Sequence, residues 1–272
     1  MSNLILQHEM LVRLGSFFGV FLLMALWEVL APKRSLNASK PKRWAANLGI
    51  TATGTLAVRY LFSAGATGFA ILAQEKGWGV LALIDAPYWL KVLGAFLVLD
   101  FAIYMQHMVF HHLPLFWRLH MMHHADLDID LTTGARFHPV EILLSMGIKI
   151  GVIFLIGAPV LAVLAFEVIL NASAMFNHSN VRMPAGLDKV LRLFLVTPDM
   201  HRVHHSVIIK EFNSNFGFCL PWWDRLLGTY RAAPLKGHQG MTIGLAKFRE
   251  EDKLQYLALL AMPFGKEVQR NS

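Results

Sequence analysis

The sequence predicts an all-α integral membrane protein with about four membrane-embedded helical segments. The fourth is read as a single span or, preferentially, a hairpin, and a cytosolic, histidine-rich helical cap completes the fold. Three observations predict this. The chain is 55% hydrophobic and only 16% charged, with a mean hydropathy of +0.46, whereas a soluble domain carries about 25% charged residues. Four apolar stretches approach or exceed the roughly 20 residues that a helix needs to cross hydrocarbon. Eleven of the thirteen histidines lie between His107 and His205, beside those stretches, where ionisable groups are costly and usually functional.

The first stretch covers residues 11–30. A signal peptide would place basic residues ahead of a short apolar core. Here the run is long and the basic cluster follows it, so it reads as a retained anchor. The second covers 45–73 with Arg59 inside it, and the third 89–110 with Asp100 inside it. Arg59 and Asp100 are read as structural, paired with each other or with site groups. The fourth covers 140–173 and is interrupted at Gly157-Ala-Pro159. An internal proline removes a helical hydrogen bond, so this stretch divides naturally in two. Residues 1–94 then form the N-terminal membrane helices, 95–232 the histidine-bearing region and 233–272 a surface tail. Within that tail, 241–264 mixes apolar and charged residues and is expected to lie on the membrane surface, as is 216–230 with its aromatic residues.

Charge placement orients the chain. Lys33, Arg34, Lys40, Lys42 and Arg43 lie between the first two stretches, which puts that loop in the cytoplasm by the positive-inside rule. A hairpin in the fourth stretch then keeps every histidine cluster on the cytoplasmic side. This step assumes that the clusters share one site. The formal net charge of +7 and pI near 9.6 suit membrane topology. No nucleic-acid module is present, and no nucleic-acid partner is expected. Cys219 is the only cysteine, so a disulfide within the chain and a thiolate metal site are both excluded.

The clusters are His107-Met-Val-Phe-His111, His120-Met-Met-His123-His124 and His201-Arg-Val-His204-His205, with His138 and His178 between the last two. Residues three or four apart share a helix face, so His107 and His111 are expected to grip one ion. His120 pairs with His123 in the same way, and His124 turns toward a second ion. The same logic applies to His201, His204 and His205. Eight imidazoles, with His178 as a ninth, exceed the needs of one metal and suit two.

His8 and His238 read as ordinary polar histidines, and His112 receives no role. His138 reads as a ligand, an outer partner or a helix-start residue. Asp126, Asp128 and Asp130 read as a solvated loop or as partners that orient imidazoles, since a calcium loop would need glycine and glutamate at other offsets. Glu141 is a candidate for the same orienting task, and Asp199 for that task or for metal ligation. Asp224 and Arg225 read as structural.

Several runs together resemble the fatty acid hydroxylase and sterol desaturase superfamily of membrane oxygenases. They are "YMQHMVFHHLPLFWRLHMMHH" (104–124), "TTGARFHPVE" (132–141), "FNHSN" (176–180), "TPDMHRVHHS" (197–206), "NSNFG" (213–217) and "WWDRLLGTY" (222–230). The resemblance implies a non-haem centre of two iron ions at the cytosolic membrane face, with zinc as the substitute in isolated protein. Its ligands would be His107, His111, His120, His123, His124, His178, His201, His204 and His205. Some members carry a further histidine four residues before the isolated one, where this chain has Ala174. The implied activity is hydroxylation or desaturation of a lipid C–H bond with O2 and two electrons from a separate donor protein. The implied setting is a multi-pass membrane protein, with a bacterial inner membrane favoured over the endoplasmic reticulum. A membrane metal-dependent hydrolase and a non-catalytic metal-binding protein are the competing readings. The absence of a His-Glu-x-x-His pattern counts against the hydrolase.

Overall fold

The structure is a computed structural model that describes residues 6–266. The described residues form helices and no strands, with two isolated β-bridges, Pro32 to Val181 and Ser206 to Ile243. The principal helices are α1 (Glu9–Leu30), α2 (Lys40–Leu61), α3 (Gly65–Glu75), α4 (Tyr88–His112), α5 (Pro114–His124), α6 (Pro139–Ile156), α7 (Val160–His178), α8 (Ala185–Leu191), α9 (Pro198–His204), α10 (Trp222–Leu226) and α11 (Tyr256–Ala261). Five segments are long and apolar enough to cross a membrane: α1, the stretch Lys40–Leu83, α4, α6 and α7.

Local sequence sets the helix ends. Proline occupies the first turn of α2, α5, α6 and α9, where its missing N–H is no loss and its fixed φ suits the helix. The second apolar stretch, expected as one span, breaks at Phe62-Ser-Ala and resumes at Gly65, whose φ is +62°. The fourth stretch is two helices. Gly157 caps α6 in the left-handed conformation (φ 66°, ψ 48°), and Pro159 starts α7. A side chain at Gly157 would also meet the Trp78 carbonyl at 2.3 Å. The hairpin brings Pro139 and His178 to the same end of the bundle.

α1 packs on α7, α2 and α3 pack on α6, and α4 packs on both α6 and α7. Leu99, Ile103, Ile153, Val163 and Phe166 fill the core between α4, α6 and α7. A second core lies at the histidine end. There Ile50, Trp117, Met121 and Met122 meet Leu245, Phe248, Leu254 and Leu259 from the C-terminal segment. Within 241–264, Leu245, Phe248, Leu254 and Leu259 are covered by α2 and α5, while Leu257 and Phe264 are exposed.

The reading of the acidic run is corrected. Asp126, Asp128 and Asp130 are buried, and Arg43 of α2 clasps them. Its Nε lies 2.6 Å from Asp126 Oδ1, and its Nη1 lies 2.6 Å from Asp130 Oδ2. Asp128 accepts the backbone N–H groups of Asn37 and Ala38 at 2.8 and 2.9 Å. The loop is thus an ion-paired bracket between α2 and the histidine layer. Burial alone would raise the Asp126 carboxyl, but Arg43 and Arg136 hold it well below the usual carboxylate range.

Candidate metal centre

The nine clustered imidazoles meet in two adjacent, fully buried groups. One holds His107, His111, His120, His124 and His204. The other holds His123, His178, His201 and His205. Within each group, one potential ligand atom per residue lies within 4.8 Å of the others. The groups abut where the His124 and His205 rings stack with centroids 4.6 Å apart.

The helical pairing differs from the sequence expectation. His120 shares its group with His124, and His123 joins the other; likewise His201 shares with His205, and His204 joins the other. At 3.6 residues per turn, positions i and i+4 diverge by about 40° and positions i and i+3 by about 60°. The i,i+4 pair therefore faces one point, and the intermediate histidine swings toward the neighbour. α5 gives two rings to the first group and one to the second, while α9 and its C-cap His205 do the reverse. α9 is short and is held by Thr197, whose hydroxyl accepts the Met200 N–H. α4 supplies His107 and His111, and α7 ends at His178.

The hydrogen bonds decide which nitrogen faces inward. Nδ1 of His107 lies 2.7 Å from the Phe216 carbonyl, and that of His204 lies 2.7 Å from the Ser214 carbonyl. Nδ1 of His178 lies 2.7 Å from the Ala174 carbonyl, and that of His123 lies 3.1 Å from the Arg136 carbonyl. Nδ1 of His120 lies 2.7 Å from Glu141 Oε1. A carbonyl only accepts, so each Nδ1 facing one carries the proton and its neutral ring presents a lone pair at Nε2. Those lone pairs converge. His107 Nε2 is 3.0 Å from Nε2 of both His120 and His204. His178 Nε2 is 3.1 Å from His123 Nε2 and 3.0 Å from His201 Nε2. Facing lone pairs repel unless a cation or an added proton lies between them. Burial, reinforced by the neighbouring rings, holds His120, His123, His124, His201, His204 and His205 well below the ordinary histidine range, which disfavours the proton. The donor set therefore fits a pair of borderline metal ions, for which neutral imidazole is the usual ligand.

The outer partners mix expected and unexpected residues. Glu141 orients His120, whereas Asp199 does not touch an imidazole of either group. It pairs with Lys33 at 2.6 Å and with Arg202. Asp199 and Lys33 thereby tie α9 to the loop after α1. Burial would raise the Asp199 carboxyl, but Arg202 and Lys33 keep it below its ordinary value. His138 stays out of both groups. It caps α6 by accepting the Val140 N–H at 3.2 Å, and its Nε2 meets the Leu260 carbonyl at 3.2 Å. Asp100 accepts from the Trp223 indole at 2.8 Å and Arg59 is exposed, so the expected pairing between them is not found. Asp224 is buried and accepts the N–H groups of Phe216 and Gly217 at 2.8 and 2.9 Å, fixing the turn whose carbonyl orients His107. Arg225 instead stacks over Tyr230. His8 is exposed, and His238 lies 3.8 Å from Asp199.

Sequence reasoning missed the partners that act through backbone carbonyls: Ala174, Arg136, Ser214 and Phe216. It also missed Gly134, where a Cβ would sit 2.2 Å from the Ala174 carbonyl oxygen. Four of these five lie inside runs noted above ("TTGARFHPVE" and "NSNFG"), so the signal was the motif and not a side-chain chemistry.

A cavity of about 570 Å³ opens between α1, α2, α4, α6 and α7. Its histidine end is formed by His107 and His120 within a collar of Phe110, Phe137 and Phe218. An apolar chamber ending on two imidazoles can hold a hydrocarbon chain against bound metal.

A family model described as "Fatty acid hydroxylase" matches residues 92–229, about half of the chain and all nine clustered histidines. The chain belongs to the fatty acid hydroxylase family. Within that family it is 33% identical to ornithine lipid hydroxylase OlsE of Rhizobium tropici, over 66% of this chain and 52% of that protein. It is 31% identical to alkylglycerol monooxygenase of Homo sapiens, over 65% of this chain and 38% of that protein. It is 26% identical to cholesterol 25-hydroxylase of Homo sapiens, over 52% of each. The chain thus spans about half the length, or less, of these relatives. No solved structure matches it. The relatives are named for oxidising lipids, and this member carries five helical segments long and apolar enough to cross a membrane.

Proposed function

We propose that the protein is a membrane-bound lipid hydroxylase with a centre of two iron ions. One ion would be held by His107, His111, His120, His124 and His204, and the other by His123, His178, His201 and His205. The observation that carries this reading is the convergence of Nε2 lone pairs at the end of an apolar cavity. Bound iron would supply O2 reduction and C–H oxidation. The overall change is RH + O2 + 2 e⁻ + 2 H⁺ → ROH + H2O, and the two electrons would come from a separate donor protein. Desaturation would use the same oxidant and electrons.

The chain's own residues have four tasks in this scheme. The backbone carbonyls of Phe216, Ser214, Ala174 and Arg136 fix the tautomers of their rings. Glu141 fixes that of His120 and strengthens it as a ligand, as carboxylate partners do. The phenylalanine collar excludes bulk water from the reacting end. The cavity wall aligns a hydrocarbon chain so that one C–H lies beside His107 and His120, which is the entropic part of catalysis. A hydrolase would need a carboxylate on the open side of a metal to activate water. Glu141 instead stands behind the His120 ring, on its Nδ1 side, which favours the oxygenase.

The basic loop after α1 supports an active site that faces the cytoplasm, and the Rhizobium relative supports a bacterial inner membrane. The test is incubation of the iron-loaded chain with membrane lipid extract, a reductant and 18O2, followed by mass spectrometry. A lipid that gains one 18O atom only in the presence of reductant supports the hydroxylase. A lipid that loses two hydrogens without label supports the desaturase. Products formed without oxygen would overturn both.

A further inference from the structure

The cavity carries, away from the histidines, a group of charges that the proposed chemistry does not use. Glu167 of α7 accepts from Lys149 of α6 at 2.5 Å and from Arg13 of α1 at 2.7 Å. All three side chains line the cavity, and all three belong to segments apolar enough to span a membrane. Lys149 is only 10% exposed and Glu167 only 8%. Ionisable groups in such segments are costly and mark functional sites by default. As a fastener between helices the cluster has little merit, because well-packed apolar residues usually serve as well as a buried ion pair.

The charges are unequal on the cavity side. Two cations share the single carboxylate of Glu167. Glu9 bonds the outer edge of Arg13 at 2.8 Å and is not among the cavity-lining residues. An ammonium has three N–H donors and a guanidinium five, so the bonds to Glu9 and Glu167 leave donors on both cations. The cluster is also well separated from the histidines. Lys149 lies eight residues along α6 from Glu141, about 12 Å at the helical rise, and Glu167 lies eleven residues along α7 from His178, about 16 Å. The wall between is mostly apolar, with Ile142, Met146, Leu170 and Ile103.

We propose that Arg13 and Lys149, held by Glu167, form a subsite for the anionic end of an amphipathic lipid, a carboxylate or a phosphate. Its alkyl chain then lies along the cavity toward His107 and His120. The orientation rests on the proposed function. Anchoring the head fixes how far from it the oxidised carbon lies, so the subsite sets the position of reaction as well as affinity.

The test is competitive binding to the full chain in phosphatidylcholine nanodiscs, with the fluorescent fatty acid cis-parinaric acid as probe. Stearate, stearyl phosphate and stearyl alcohol are the competitors, each measured per mole in the bilayer. At least one anion should displace the probe at a concentration tenfold or more below that of the alcohol, and the better anion identifies the head. Lys149→Met and Arg13→Met should erase the difference, weakening the probe's own binding while leaving the inhibition constant of the alcohol unchanged, and Lys149→Arg should keep it. The proposal is overturned if the alcohol competes as well as both anions with the wild-type chain. It is equally overturned if both methionine variants retain the preference. Bound iron is counted in the same samples. Full metal with no head preference defeats the subsite alone, whereas a head preference in a chain that binds no metal defeats the oxygenase reading alone.

Discussion

Gly134→Ala adds one carbon at the tightest point behind the four-histidine group. The new Cβ would lie 2.2 Å from the Ala174 oxygen, 2.7 Å from its carbonyl carbon and 3.1 Å from His178 Nδ1. Non-bonded carbon contacts are comfortable only at about 3.5–4.0 Å, so the two backbones must separate by about 1 Å. The obstacle is backbone inside α7, so no side chain can turn aside. Overpacking of this kind costs about 1–3 kcal/mol. The functional cost is larger, because the Ala174 carbonyl accepts the Nδ1 proton of His178 at 2.7 Å. A shift of about 1 Å in that acceptor far exceeds the ±0.2 Å tolerance of metal–ligand bonds. Loss of such an outer partner lowers metal affinity by about 10–100-fold. The variant should insert in the membrane and keep the five-histidine ion while losing most of the other. Anaerobic ferrous loading, desalting and elemental analysis should then give close to one iron per chain against two for the wild type. Two firmly held ions in Gly134→Ala, with unchanged thermal stability, would refute the reasoning.

Other expectations follow from the same geometry. Glu141→Gln removes the charge behind His120 and should weaken ferrous binding at the five-histidine group by about tenfold or more, read by competition with a chelator of known affinity. His123→Ala should abolish metal at the four-histidine group and all turnover while leaving membrane insertion intact, whereas His8→Ala should match the wild type in both. Arg43→Met strands Asp126 and Asp130 in a buried bracket and should cost about 3–5 kcal/mol, seen as a lowered midpoint of thermal aggregation. For pH, the folded chain holds six imidazoles outside the spans well below their ordinary values. The unfolded chain therefore takes up protons first as pH falls through about 6.5. The stability of the metal-free protein should be complete above that pH and decline steadily below it. A flat profile down to pH 5 would contradict buried, neutral rings.

The sequence carried much of this, and the limits have physical causes. Apolar length gave the spans, and Gly157 with Pro159 gave the hairpin, because both signals are local. The break at Phe62-Ser-Ala was harder to see, since no proline marks it and the residues remain apolar enough to continue a span. Histidine spacing named the nine rings that meet, yet it did not assign His120 and His124 to one group. That distinction depends on a difference of about 20° in helical phase, which spacing alone does not weigh. Asp199 and the acidic run were misjudged because their cations, Lys33 and Arg43, lie far away in sequence. The carbonyl partners of His107, His123, His178 and His204 have no side-chain signature, and only the fold reveals them.

The central claim is that the two groups of imidazoles hold two ions side by side, each ringed by nitrogen. Iron K-edge X-ray absorption on the anaerobically loaded chain, with iron counted per polypeptide, tests it most directly. The account predicts two irons, nitrogen-dominated shells near 2.1 Å and multiple-scattering features from imidazole. A single bound ion, or a shell dominated by oxygen without imidazole scattering, would contradict it.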